Sequence, residues 1–164
     1  MRTTSDSVMI ALRKIIQAID MNSKKLVKQV GLTGPQLVIL QEISNLGEVT
    51  AGEIARAVSL SQATLTGILE RIEKRGLLSR RRSKHDKRRV MLNITDSGKK
   101  VLDDAPPLMQ EEFVDGFSSL PEWEQTMILS ALQRLVSIMD AKAIQAAPFL
   151  ATAPIDNQVV KPKS

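Results

Sequence analysis

Between residues 31 and 76 the sequence starts and stops helices at short intervals, and this punctuation constrains the fold more than any other feature. Gly31 stops a first helix. Thr33 and Gln36 then stand at capping-box spacing, with Pro35 in the first turn and Leu32 and Leu37 placed to form a hydrophobic staple. That helix runs to about Asn45, and Gly47 ends it. Thr50 with Glu53, and Val49 with Ile54, repeat the device for a short helix ending near Val58. Ser61 caps a fourth helix over 62–74, closed by Gly76. Its apolar residues Leu65, Ile68, Leu69 and Ile72 make one narrow stripe. The opposite side carries Ala63, Thr66, Gly67, Glu70 and Lys74, with Gln62, Thr64 and Arg71 at the margins.

Around this segment the periodicity predicts fewer, longer elements. Val8, Leu12, Ile15, Ile16 and Ile19, then Leu26 and Val30, follow a 3.6-residue period and predict a helix over 7–30. Val90, Leu92 and Ile94 alternate with Met91 and Asn93, which predicts a half-buried strand paired antiparallel with 78–82. The connection 83–88 is polar and basic. Thr95 and Asp96 open a long helix, bent or interrupted at Pro106 and Pro107. Ser119, with Glu122 three residues on, predicts a last helix running to about Ala146. From Pro148 the periodicity stops, and 148–164 reads as a disordered tail. No internal repeat is present.

Helix, short helix, tight turn, amphipathic helix and basic hairpin, in that order, is the layout of a winged helix-turn-helix. The fold class expected is mainly α with a small β-hairpin wing. A recognition helix must present a small or polar face at its N-terminal end so that its backbone can enter the major groove. The fourth helix does so with Ser61, Gln62, Ala63, Thr64, Thr66 and Gly67. Its N-terminus also favours phosphate through free N–H groups and the helix dipole. The hairpin supplies Lys84, Lys87, Arg88 and Arg89, and arginine suits a narrow minor groove. Arg80 to Arg82 alternate sides of a strand, so they cannot all face DNA. Residues 71–89 hold ten basic residues against two acidic ones, while the whole chain is only +5. The basic character, and a pI of about 9.7, is therefore one local feature on a mildly acidic body. An ordinary surface helix and a solvated charged loop are the plain alternatives for these two segments.

The stretch from Leu32 to Leu102, LTGPQLVILQEISNLGEVTAGEIARAVSLSQATLTGILERIEKRGLLSRRRSKHDKRRVMLNITDSGKKVL, resembles the core of the MarR-type regulators. SQATLTGILERIEKRGLL is similar to that family's recognition helix. RRSKHDKRRVMLNITDSG is similar to its wing, with an Asp-x-Arg signature at Asp86 and Arg88. The resemblance covers about 7–145. It implies a homodimer whose terminal helices, 7–30 and 96–146, intertwine around a winged core at 33–95, the whole domain spanning 1–147. It implies that two winged domains grip a pseudo-palindromic double-stranded DNA operator, as a sequence-specific regulator and most simply a repressor. The DNA-binding residues so implied are Ser61, Gln62, Thr64, Thr66 and Gly67 on the helix and Lys84, His85, Asp86, Lys87, Arg88 and Arg89 on the wing. Asp86 would pair with a basic group that supports the wing, Arg71 being the candidate. Two segments, IALRKIIQAIDMNSKKLVKQVGLTGPQLVIL and LPEWEQTMILSALQRLVSIMD, resemble a narrower group, the repressors of ectoine and other compatible-solute operons. That resemblance implies a response to salt stress.

Other residues carry weaker signals. His85, the only histidine, is either a wing contact or a pH switch. Trp123, in the first turn of the last helix, reads as a packing residue, with ligand stacking as the alternative. Met109, Phe113, Phe117, Met127 and Met139 read as core or dimer interface. Relatives often bind small aromatic acids between the dimerisation helices and the winged domain. No such pocket is identifiable in the sequence, and a small-molecule effector is an unidentified partner. The chain has no cysteine, which excludes a disulfide framework, a thiolate metal site and a cysteine redox sensor. No metal and no cofactor are expected. The N-terminus lacks a signal-peptide pattern and no apolar run approaches membrane-spanning length, so the expectation is a soluble cytoplasmic protein. An enzyme with a basic substrate site finds no support in any catalytic triad order, ligand cluster or phosphate loop. A nonspecific architectural DNA-binding protein is the alternative within DNA binding.

Overall fold

Thr33, Thr50 and Ser61 stand at the N-termini of their helices as their spacing predicts. In the computed structural model, which describes residues 3–83, 89–144 and 150, helix α1 spans Thr4–Val30. The Thr3 N–H donates to Asp6 Oδ2 at 2.8 Å and the Asp6 N–H to Thr3 Oγ1 at 3.1 Å, so the helix starts one turn earlier than its apolar periodicity shows. Gly31 ends it in the left-handed conformation, φ +70°. Helix α2 spans Gly34–Leu46, with the Gln36 side chain accepting from the Thr33 N–H at 3.0 Å. Strand β1 is Val49–Thr50 and helix α3 is Ala51–Ala57. Helix α4 is Gln62–Lys74, and strands β2 and β3 are Leu78–Arg82 and Val90–Ile94.

The hairpin is antiparallel as expected, and its register sets Leu78 opposite Ile94 and Arg82 opposite Val90. The sheet, however, has three strands, in the order β1-β3-β2. Val49 pairs with Leu92 and Thr50 with Met91. A two-residue strand leaves no alternation to detect, and these two residues also serve as staple and N-cap of α3. Leu92 thereby has a strand on each side and is buried, as are Leu32, Leu37, Leu40, Ile43, Ile54, Leu65, Leu69 and Ile72. Each such side chain stabilises the fold by about 1.5–3 kcal/mol relative to exposure. This core belongs to the segment from Leu26 to Leu92. Of α1, only Leu26 and Val30 enter it.

Helix α5, Asp96–Asp103, is shorter than the sequence suggests. It stops before the Pro pair rather than bending through it, and Met109 opens a separate helix α6, Met109–Ser118. The preceding-residue restriction of two successive prolines explains the clean break. Residues 107–149 form a second compact unit. Within it, Ser119 does not cap the last helix. It caps the end of α6, its hydroxyl donating to the Gly116 carbonyl at 2.6 Å. Helix α7 is Glu122–Ile138, well short of Ala146, which lies outside the described residues. Its end is a left-handed Asp140, φ +53°, with the Ala141 N–H returning to the Val136 carbonyl at 3.0 Å. Aspartate tolerates that conformation, so no glycine marks the stop. Neither α6 nor α7 has a buried residue. Phe113 and Phe117 stack at 5.5 Å, and Trp123, read as a packing residue, is 66% exposed in the single chain. The tail at 148–164 lies outside the described residues apart from Leu150. No helix among the described residues is long and apolar enough to cross a membrane.

Candidate nucleic-acid interface

Helices α3 and α4 are joined by a turn of four residues, Val58 to Ser61. Ser59 is left-handed, φ +54°, and the Leu60 N–H returns to the Ala55 carbonyl at 3.0 Å. Ser61 then caps α4: its hydroxyl oxygen accepts from the Thr64 N–H at 3.1 Å and pairs with Thr64 Oγ1 at 2.8 Å. Leu65, Ile68, Leu69 and Ile72 turn into the core. Ser61, Gln62, Ala63, Thr66, Glu70 and Arg71 are left exposed, with Thr64 and Gly67 half-buried. The face of small and polar residues expected from the sequence therefore exists on one surface.

The hydroxyls on that face are engaged locally. Thr66 Oγ1 donates to the Gln62 carbonyl at 2.8 Å, and the Ser61 and Thr64 hydroxyls share one bond. Gln62 is among the residues that line a groove of about 390 Å³, with Gly52, Ala55, Arg56 and Leu60. A second groove of about 340 Å³ follows α4 over Gly67, Glu70, Arg71 and Lys74. A Cβ added at Gly67 would meet nothing within 4 Å. Packing does not demand glycine there, although glycine in a helix interior costs about 1 kcal/mol against alanine. The missing side chain is thus available to a partner that must come close.

At the root of the wing two arginines are held by acids of the helices. Arg80 Nε lies 2.9 Å from Glu73 Oε2 on α4. Arg89 Nη2 lies 3.0 Å from Glu53 Oε1 on α3. Glu53 uses its other oxygen, Oε2, to accept from the Thr50 N–H at 2.8 Å and the Thr50 hydroxyl at 2.6 Å. The Thr50 hydroxyl and then the Thr50 amide hold the Glu53 carboxyl below its ordinary value of 4.5; burial pushes back against them, and the Arg89 guanidinium adds a smaller lowering. Glu53 thus ties the wing root to the start of α3, a role hidden behind its capping-box position. Arg89 and Glu53 are 36 residues apart, and only the sheet register brings them together. Glu73 and Arg80 meet across the turn between α4 and β2, a pair that neither residue's local pattern marks. Arg81 and Arg82 remain exposed on β2. Lys84, His85, Asp86, Lys87 and Arg88 lie outside the described residues, and so does any pairing of Asp86 with Arg71, which is itself exposed on α4. Among the described residues no group of His, Asp and Glu is placed to hold a metal ion.

Comparison with known proteins adds an independent line. The profile of the MarR family matches residues 32–90. The chain is 28% identical over 132 residues to the HTH-type transcriptional regulator YsmB of Bacillus subtilis, covering 80% of this chain and 90% of that protein. It is 30% identical over 109 residues to the transcriptional regulator HosA of Escherichia coli O127:H6, covering 65% and 78%. Among solved structures, a complex of S. aureus MepR with DNA has the same fold. Its TM-score is 0.54 at 22% identity, covering 84% of this chain and 96% of that one.

Proposed function

The chain belongs to the MarR family of transcriptional regulators, and from that premise we propose that it is a homodimeric, sequence-specific repressor that binds a pseudo-palindromic DNA operator. It is a regulator and not an enzyme. The observation that carries the DNA-binding role is the N-terminal face of α4. It is exposed, small and polar, and it holds a glycine that packing does not require. In the major groove, Gln62 reads a base edge with its amide, while Ser61, Thr64, Thr66 and Gly67 set how closely the backbone approaches. On the wing, Arg88 enters the minor groove, and Lys84, His85 and Lys87 lie along phosphate. Asp86 with Arg71 keeps the wing in shape, and Arg89 stands at its root.

The dimer reading is supported by apolar surface that a single chain leaves uncovered. Ile16 and Met21 on α1 are 60% and 70% exposed, and Met127, Leu129, Leu132 and Val136 on α7 are exposed as well. Exposed apolar side chains grouped on each of these helices mark an interaction site. The genes regulated are, in this reading, those of compatible-solute synthesis or salt stress, on the strength of the resemblance of the α1 and α7 segments to that group of repressors. A small-molecule effector would release the operator, and the protein works in the cytoplasm.

The decisive experiment is footprinting on the gene's own upstream region, followed by affinity for that operator and for random duplex at one salt concentration. A specific repressor binds its operator about 10³-fold or more tightly than random DNA. A ratio near one would replace this reading with a nonspecific architectural role.

A further inference from the structure

Only the last turn of α1 is anchored in the DNA-reading core: Leu26 and Val30 are buried, and the residues before Leu26 are exposed or half-buried. The polar member of this anchor is Arg75, the residue that caps the C-terminal end of α4. Its Nη1 donates to the Gly31 carbonyl, and its Nη2 donates to the Val30 carbonyl at 3.3 Å. Both acceptors sit where α1 ends. Helix termini leave carbonyls without intrahelical partners, and the negative end of the helix dipole lies there. A forked guanidinium satisfies two such oxygens at once, which a lysine ammonium on a flexible stem does less well.

The fit is close. Gly31 is left-handed, and a Cβ placed on it would lie 2.6 Å from Arg75 Nη2 and 3.3 Å from Cζ. The guanidinium therefore lies directly over the glycine, in space that any other residue would fill. Arg75 belongs to the basic run at 71–89, yet its donors point at protein backbone.

We propose that Arg75 is a positioning residue that fixes the angle between the recognition helix and α1, and thereby the half-site spacing that the dimer accepts. The inference rests on the dimeric DNA-binding function proposed above. If α1 joins the two subunits, the relative placement of the two α4 helices passes through this joint. A rigid joint makes spacing selective, because half-sites must match the separation of two fixed helices. A loose joint lets each α4 find a half-site at several separations.

The test uses Arg75→Lys, which keeps the charge, and Gly31→Asn, which tolerates the left-handed backbone but occupies the guanidinium's place. Affinity is measured for the footprinted operator, for operators with one base pair inserted or removed between half-sites, and for random duplex. Dimer mass and melting temperature are followed alongside. Both variants are expected to stay dimeric and to bind random DNA as wild type does, while spacing preference falls about tenfold or more. Because the chain has no cysteine, Glu70→Cys gives a unique spin-label site on each α4. The label-to-label distance distribution should be narrow with Arg75 and broad with Arg75→Lys. Variants that keep the wild-type spacing preference and a narrow distribution overturn the proposal. Equal losses on operator and random DNA also overturn it, since Arg75 would then be a phosphate contact. A wild-type protein that is monomeric or ignores spacing removes the underlying function itself, a failure visible before any variant is made.

Discussion

Two helical glycines, one on α4 and one on α5, respond to an added methyl group in opposite ways. At Gly67 on α4 the methyl would meet nothing, so Gly67→Ala is expected to stabilise the fold by about 0.5–1 kcal/mol through helix propensity. The same methyl stands on the face proposed to enter the major groove, so operator affinity should fall as stability rises. Thermal melts and operator titrations on one preparation check both. A variant that gains stability and keeps full affinity would remove Gly67 from the interface. At Gly98 on α5, the new Cβ would collide with the Leu77 carbonyl oxygen and lie 2.7 Å from Ile94 Cγ1. Gly98→Ala should therefore destabilise by about 1–3 kcal/mol, as overpacking does. Denaturant titration of the two alanine variants gives shifts of opposite sign if this reading of the two sites is right.

Among the elements, the wing is docked through a side chain whose protonation can be followed. Glu53 holds Thr50 with one oxygen and Arg89 with the other. Its carboxyl is lowered below 4.5, so its contribution is complete above that value and is lost as the pH falls through the lower, folded-state value. The joint is thus insensitive to pH across the neutral range. A carbon-detected NMR titration should place the Glu53 midpoint below 4.5. Thr50→Val should raise it more than Arg89→Ala, because the Thr50 hydroxyl is the largest cause. The reverse order would make the ion pair, not the cap, the dominant partner. The elements legible in the sequence were those with local signals. Ser61 with Gly76 bounded α4, and the alternation of Val90, Leu92 and Ile94 gave β3 and the hairpin. What escaped was set by contacts distant in sequence or by residues with weak local preference. Strand β1 exists because Leu92 needs a neighbour on its second edge. Helix α7 ends at Asp140 without a glycine. The Glu53–Arg89 and Arg75–Gly31 contacts join residues that only the folded chain brings together. Of the candidate site, the α4 face was legible because a helix displays its exposed residues at a fixed period.

For the molecule as a whole, the unit at 107–149 has one property with consequences beyond structure. Its helices α6 and α7 bury no residue of their own in a single chain, and Leu132 and Val136 stand exposed. If that surface is covered by a second copy, pairing is a property of the terminal helices and is blind to whether the DNA-reading face works. A chain carrying Gln62→Ala and Gly67→Lys would still pair with wild-type partners. Wild-type and defective chains expressed equally in one cell would leave only about a quarter of the dimers with two working faces, as random pairing of identical interfaces dictates. The defect would then be inherited as dominant, with repression lost although half the chains are sound. Adding Leu132→Glu to the defective chain should make it recessive again, because an unpaired charge at the interface excludes it from mixed dimers. A reporter fused to the footprinted operator reads all three strains, and dominance that survives Leu132→Glu would place the pairing surface elsewhere.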